Sequence, residues 1–330
     1  MNRLSKLSIS VALSALLIGC GGGGGGGGDV TVVPSEETEI SGSASKGVIA
    51  NGKVTIWAVT SSGELIESPI EEFITSEEGT FSGPTNLYLG QMLYIEVRGL
   101  PSGTTKMYCD YPSCGVFSAN VESLLGDDEE HPDTNSNGLV DFGEWFFIDD
   151  TTFISTYARF KGPTAPIRVN LLTHMVSQSF TSIPSGSDLN GAYEIIQKKL
   201  GLSVEPDEML PLLVKTGESL TRPQIVDNML MQGMLTELTT NPNMNFAIEE
   251  LVSFYKADPT LESSAVASSA ISASAIALTQ RLIDSAPNNV ISDGVKFSVA
   301  GNLEDINTAF AAEEKRLTAS ELPMLPPNIL

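Results

Sequence analysis

The stretch Lys53-Val-Thr-Ile-Trp-Ala-Val-Thr60 has a period of two and is rich in β-branched and aromatic residues. This pattern is typical of a β-strand that buries one of its faces. The segments Glu71–Thr75 and Met92–Arg98 repeat it, and Glu77-Glu-Gly-Thr-Phe81 reads as a turn into a further strand. Short strands at this spacing predict a small β-sandwich over residues 40–125.

Several short motifs occur in a characteristic order along this region. They are Ser41-Gly42, Gly47-Val-Ile-Ala-Asn-Gly-Lys-Val-Thr-Ile56, Thr75 with Glu78-Gly-Thr-Phe81, and Leu93-Tyr-Ile-Glu-Val-Arg-Gly99. Their order resembles the carboxypeptidase-regulatory, transthyretin-like family. The resemblance implies an accessory module that stabilises, spaces or binds, without an active site of its own. We expect Trp57 to be a core residue of this module rather than a platform for a ligand.

The second half of the chain changes to a helical period. Ile248, Leu251, Val252 and Tyr255 recur at i, i+3, i+4 and i+7, as on the buried face of a helix. Further helices are predicted over residues 169–180, from a cap at Asp188 to a stop at Gly201, from Pro223 onward, and over residues 262–284. The sequence therefore predicts an α+β chain of more than one domain. A helical bundle over residues 169–330 would follow the β-sandwich and an acidic junction at residues 126–168.

The first residues carry an export signal. Arg3 and Lys6 precede an apolar segment that is too short to span a bilayer and that ends in Leu17-Ile-Gly-Cys20. This ending resembles the lipobox of bacterial lipoproteins, which implies removal of residues 1–19 and acylation of Cys20. The protein would then be anchored in the outer membrane of a bacterial envelope, facing either side. An ordinary secretory signal with a chance cysteine remains the alternative.

A glycine run separates the predicted anchor from the first strand. Gly21–Gly28 has no side chains to bury and the largest backbone entropy to lose, so we expect residues 20–39 to form a flexible tether.

The other two cysteines lie close together, in Cys109-Asp-Tyr-Pro-Ser-Cys114. An exported chain meets an oxidising compartment, and Pro112 helps the chain turn back, so we predict a disulfide. A two-cysteine metal site is the alternative, although His131 and His174 are the only histidines that could complete it.

The segment Asp133-Thr-Asn-Ser-Asn-Gly-Leu-Val-Asp-Phe-Gly-Glu144 resembles the twelve-residue calcium loop of EF-hands. Its spacing places oxygen donors where a hard cation needs them and a glycine at the sharp turn. Val140 would point towards the core, and no good helix precedes the loop, because Pro132 and a polar run lie there. The residues predicted to bind calcium are Asp133, Asn135, Asn137, Leu139 through its carbonyl, Asp141 through a water, and Glu144. An Asn-Gly turn without metal is the alternative.

Charge and the absence of catalytic motifs limit the functions that remain. The net charge is −23, and residues 29–150 hold 22 acidic and 4 basic side chains, which would repel nucleic acid and attract divalent cations. The first hypothesis is a non-enzymatic lipoprotein that binds or displays an envelope protein or glycan. The alternative is a hydrolase of envelope glycans or peptides with a carboxylate pair such as Asp149-Asp150 or Glu249-Glu250. His174 is expected to be a helix histidine that is satisfied or half-exposed, not a catalytic base.

Overall fold

A computed structural model describes residues 38–111, 113–117, 132–133, 135–212, 221–239, 244–262, 271, 273–275 and 277–278. Every described residue belongs to one compact unit, Glu37–Leu330. Cys20, the glycine run and the acidic run before Pro132 lie outside the described residues.

The described chain is α+β, with several small sheets first and helices after them. The strands are β1 (Thr38–Ser45), β2 (Ile49–Ala50), β3 (Lys53–Ala58), β4 (Glu71–Ile74), β5 (Thr80–Thr85), β6 (Met92–Arg98), β7 (Thr105–Tyr108), β8 (Ser113–Val116), β9 (Leu139–Asp141), β10 (Trp145–Ile148), β11 (Phe153–Arg159) and β12 (Ile167–Asn170). They form sheets with the strand orders β12-β1-β5, β10-β7-β2, β11-β6-β3-β4 and β8-β9.

The predicted strands at β3, β4 and β6 are confirmed, and their alternation explains the core between the sheets. Strand β6 buries Leu93, Ile95 and Val97 completely and leaves the residues between them partly exposed. Side chains from β1, β3, β5, β11 and β12 join them in one apolar cluster. Full burial of each large side chain in such a cluster contributes about 1.5–3 kcal/mol.

Strand β12 was not predicted, and it lies where the helical region was expected to begin. It pairs in parallel with β1, with Gly42 opposite Ile167. A Cβ atom on Gly42 would lie 2.5 Å from the carbonyl oxygen of Ile167, so this close approach requires glycine. Four residues between Pro166 and the next helix are too few to display a period of two.

The helices are α1 (Leu171–Ser179), α2 (Gly186–Leu200), α3 (Arg222–Leu238) and α4 (Met244–Ala257), with a 3-10 turn at Pro206–Glu208. Residues 271, 273–275 and 277–278 are also helical, as predicted for that stretch. Helix α2 begins one turn earlier than expected, because Ser185 is its cap and Asp188 is the third helical residue of a capping box. Gly201 ends it in the left-handed conformation, as predicted.

A second apolar cluster lies among the helices. The predicted face of α4 is buried, and Met229, Met231 and Met234 of α3 are also core residues. The same cluster includes Val140 of β9 and Trp145, the first residue of β10, so the helices share one core with these strands. None of the helices in the described part of the chain is long and apolar enough to cross a bilayer.

Candidate metal centre

The predicted calcium loop is a tight turn between β8 and β10 that contains the short strand β9. Its two end carboxylates are buried, since Asp133 and Glu144 are each 6% exposed, whereas Asn135, Asn137 and Leu139 face solvent. Gly138 has a φ of +78°, in the left-handed region, which is the conformation expected at the sixth position of such a loop. The residue before the loop's fifth position, Ser136, also has a positive φ of 57°.

The first half of the loop is wound around its own side-chain oxygens. The Asp133 carboxylate accepts hydrogen bonds from the backbone N–H groups of Asn137 and Gly138, at 3.2 and 2.8 Å. The Asn135 side-chain oxygen accepts from Asn137 N–H at 3.0 Å, and the Asn137 oxygen accepts from Leu139 N–H at 2.7 Å. These bonds hold the backbone in a curve with the oxygen-bearing side chains on one side of it.

The second half brings three predicted ligands together. One oxygen of Asp141 accepts hydrogen bonds from the side-chain amides of both Asn135 and Asn137, at 2.8 and 2.7 Å. Glu144 accepts from the backbone N–H of Asp141 at 2.8 Å. The side-chain amides of Asn135 and Asn137 therefore converge on the Asp141 carboxylate. A bound cation would lie between these three side chains. Turning each amide about its last torsion would present its oxygen instead.

The donor set fits a hard cation. It consists of carboxylate, amide and backbone carbonyl oxygens, which calcium prefers, and it contains no nitrogen or sulfur ligand. Among the described residues, no three His, Cys, Asp or Glu side chains are close enough to hold a metal ion without other donors.

The residues after the loop attach it to the helical core. Val140 and Phe142 are each 3% exposed and contact the helical cluster, so the inward direction predicted for Val140 is confirmed. Trp145 is also buried there, and Trp145–Ile148 forms strand β10. A change in the loop can therefore be transmitted to both the strands and the helices.

The predicted disulfide joins Cys109 to Cys114, with Cα atoms 5.8 Å apart, and this pairing excludes the alternative two-cysteine metal site. Cys109 also exchanges backbone hydrogen bonds with the end of the calcium loop, because its N–H donates to the Glu144 carbonyl and its carbonyl accepts from Gly143 N–H, both at 2.7 Å. The disulfide thus braces the loop at its carboxyl end.

A buried ion pair beside the disulfide was not foreseen. Lys46 Nζ lies 3.8 Å from the Asp110 carboxylate, and the side chains are 1% and 6% exposed. Burial lowers the pKa of Lys46, and the charge of Asp110 opposes that shift. Gln232 of α3 donates a hydrogen bond to the Asp110 carbonyl, which ties α3 to the disulfide turn. An isolated lysine in a Ser-Lys-Gly turn gives no sequence signal for burial.

His174 is a satisfied helix histidine, as expected. Its Nδ1 accepts a hydrogen bond from the Ser155 backbone N–H at 3.0 Å, and the ring lies edge-on to Phe153. Burial, with a smaller contribution from the charge of Lys256, lowers the pKa of His174 to about 4. The imidazole is therefore neutral at pH 7, with its proton on Nε2.

Two of the carboxylates considered for hydrolysis, Asp149 and Glu249, are exposed to solvent. Asp149 accepts hydrogen bonds from the Thr151 hydroxyl and backbone, which lower its pKa, and Glu249 lies on the exposed face of α4. A general acid needs a raised pKa.

Trp57, expected in the core, is only partly buried. It stands in register with Tyr94 and Tyr157 on the face of the β11-β6-β3-β4 sheet.

Comparison with known proteins finds no matching family model, no similar curated protein and no similar solved structure. The resemblances to a lipoprotein signal, to a carboxypeptidase-regulatory module and to an EF-hand loop therefore remain predictions from short motifs.

Proposed function

We propose that this chain is a lipid-anchored protein of the bacterial outer membrane, without enzymatic activity, whose folded body binds or displays an envelope protein or glycan. Calcium bound at residues 133–144 stabilises that body. The lipobox-like Leu17–Cys20 supports the anchor, and the high acidic charge argues against nucleic acid as a partner.

The folded body in this proposal is a β-sandwich of the carboxypeptidase-regulatory type followed by a helical bundle. Apolar residues from the β12-β1-β5 sheet and the β11-β6-β3-β4 sheet share one cluster, which supports two sheets packed face to face. The shared burial of Val140, Phe142 and Trp145 with the helices supports a junction that acts as part of the core.

The observation that carries the calcium proposal is the convergence of Asn135, Asn137 and Asp141, closed by the buried Glu144. Only three carboxylates are available, so the dissociation constant should be about 10⁻⁴–10⁻³ M, as in extracellular calcium modules. Calcium would replace the amide–carboxylate hydrogen bonds with metal–oxygen bonds and stiffen the turn between β8 and β10. Because the turn packs on the helices, binding would stabilise the strands and the helices together.

The test is thermal unfolding and calorimetric titration of the mature protein with calcium. At about 10 mM calcium, that affinity should add about 1.4–2.7 kcal/mol to the free energy of unfolding. Glu144→Gln keeps the size of the side chain and removes its charge, so it should abolish both the binding heat and the stabilisation. Glu64→Gln, at an exposed acid outside the loop, is the matched control and should change neither.

A protein that gives no binding heat and no stabilisation in its unsubstituted form would refute the calcium site. Equal losses in Glu64→Gln and Glu144→Gln would show that calcium acts through general screening of the acidic charge instead.

A further inference from the structure

We propose that one end of the β region rests on the surface of the membrane in which Cys20 is anchored, through an apolar rim formed by Leu65, Ile66, Tyr88 and Leu89. This inference rests on the proposed lipid anchor and adds a second, direct contact between the folded body and lipid.

The rim side chains are large, apolar and exposed. Tyr88 and Leu89 are 64% and 70% exposed, and Leu65 and Ile66 are 37% and 40% exposed. Single exposed apolar residues are ordinary on protein surfaces, but a group of them at one place marks an interaction site. The other large exposed apolar side chains of the described residues are elsewhere, at Ile74 on β4 and at Val116 and Leu139 in the antiparallel β8–β9 pair.

Strand register places all four rim residues at the same end of the sheet. Ala58 at the end of β3 pairs with Leu93 at the start of β6. Leu65 forms a bridge with Val59, and the backbone N–H of Ile66 donates to the Ala58 carbonyl, so the β3–β4 connection folds back at that end. Tyr88 and Leu89 lie in the β5–β6 connection, immediately before β6 begins.

The turn that carries Tyr88 and Leu89 is held by hydrogen bonds. The Gln91 N–H donates to the Tyr88 carbonyl at 3.1 Å, and the Gly90 N–H donates to the Phe160 carbonyl at 2.8 Å. Gly90 has a φ of +85°, which suits glycine. Little backbone ordering is therefore needed when the turn meets a surface, and a rigid turn binds with a smaller entropy loss.

The chain enters the fold at this same end. Thr38, the first residue of β1, pairs with Thr85, three residues before Tyr88. The residues 20–37 that precede it can span no more than about 60–65 Å when fully extended. An anchor at Cys20 would therefore keep the rim within that distance of the bilayer, and a weak insertion suffices because the contact is intramolecular.

Charge selects the kind of lipid surface. Glu64 and Glu67 flank the two β3–β4 rim residues and are exposed, while Lys161 near Leu89 is already paired with Asp207 at 3.4 Å. A chain with a net charge of −23 is repelled by anionic headgroups. The rim therefore suits zwitterionic headgroups, with the Tyr88 ring at the headgroup level and the aliphatic side chains below it.

The experiment measures the depth of the rim in vesicles. The mature, acylated protein is reconstituted into phosphatidylcholine vesicles whose acyl chains carry bromine, which quenches tryptophan fluorescence. Tyr88→Trp places a reporter in the rim, and Ile74→Trp places one at an exposed apolar site of β4 that pairs with Lys53, at the far end of β3. The signal of the unsubstituted protein, from Trp57 and Trp145, is subtracted.

We expect strong quenching of Tyr88→Trp and none of Ile74→Trp. Adding Leu89→Asp to Tyr88→Trp should lower the ratio of docked to free molecules about tenfold or more, because one aliphatic side chain no longer inserts. Vesicles that contain phosphatidylglycerol should reduce the quenching.

Equal quenching of the two reporters, or none at either, overturns the inference. The mass of the N-terminal peptide shows whether Cys20 is acylated. If Cys20 is acylated but Tyr88→Trp is not quenched, the membrane contact of the rim is refuted and the lipid anchor stands. If Cys20 is unmodified, both the lipid anchor and the membrane contact are refuted. Self-association of the reconstituted protein that Leu89→Asp abolishes, without quenching, would assign the rim to a second copy of the chain and would also overturn the inference.

Discussion

Acidification is expected to destabilise the folded protein through His174. The imidazole is 4% exposed, it receives the Ser155 N–H on Nδ1, and Lys256 adds a positive charge nearby. Protonation would break the Ser155 hydrogen bond, because both ring nitrogens of an imidazolium are donors. It would also place a charge in a desolvated site.

The sign and size of the effect follow from the two pKa values. The pKa of His174 is about 4 in the folded protein and 6.5 when unperturbed. Between these values the unfolded chain binds the proton and the folded chain does not, so stability falls as the pH falls through this range. A difference of this size corresponds to about 3 kcal/mol, fully present above pH 6.5 and lost near pH 4.

Urea unfolding at several pH values between 7 and about 4 measures this loss, and His174→Asn provides the reference. The asparagine oxygen can still accept from Ser155 N–H, but it does not titrate. Carboxylates contribute to the pH dependence of both proteins, so the difference between the two curves isolates His174. The variant should be less stable at pH 7 and should lose about 3 kcal/mol less on acidification.

Parallel curves for His174→Asn and the unsubstituted protein would refute this reasoning. They would mean that His174 titrates near its ordinary pKa and that its burial is relieved by solvent at low pH.

Two further predictions concern packing and the disulfide. Gly233→Ala should destabilise the protein by about 1–3 kcal/mol, because the added Cβ atom would lie 2.5 Å from the backbone oxygen of Ile271. Gly191→Ala on α2 is the matched control: the added Cβ atom meets no atom within 4 Å, so the better helix propensity of alanine should stabilise the protein by about 0.5–1 kcal/mol. Thermal unfolding measures both, and equal shifts of the same sign would contradict the close packing of α3 on the helix around residue 271. Cys114→Ser should lower the free energy of unfolding, measured by urea titration, by about 2 kcal/mol, as expected for the short ring that the disulfide closes. Treatment of the unsubstituted protein with a reductant should lower this free energy by the same amount.

Local patterns predicted much of the secondary structure. The strands β3 and β6 and the buried face of α4 follow from periodicity within single segments, and the stop at Gly201 follows from the conformations that glycine accepts. The strands β7, β8, β11 and β12 were not predicted from the sequence. Strand β11 pairs with β6 and β12 pairs with β1, so these two gain their stability from partners that are distant along the chain. The start of α2 was misplaced because two capping residues, Ser185 and Asp188, act together.

The sequence by itself determined the local chemistry of this protein: the spacing of oxygen donors around Gly138 and the proximity of Cys109 and Cys114 are set by neighbours along the chain. Tertiary structure alone decided that β12 joins β1 across more than a hundred residues, that Lys46 is buried against Asp110, and that the β3–β4 and β5–β6 connections lie at one end of the sheet. The physical reason is that burial and long-range strand pairing are properties of the whole core. A single segment carries its own turn and period, but not the identity of the surface against which it packs.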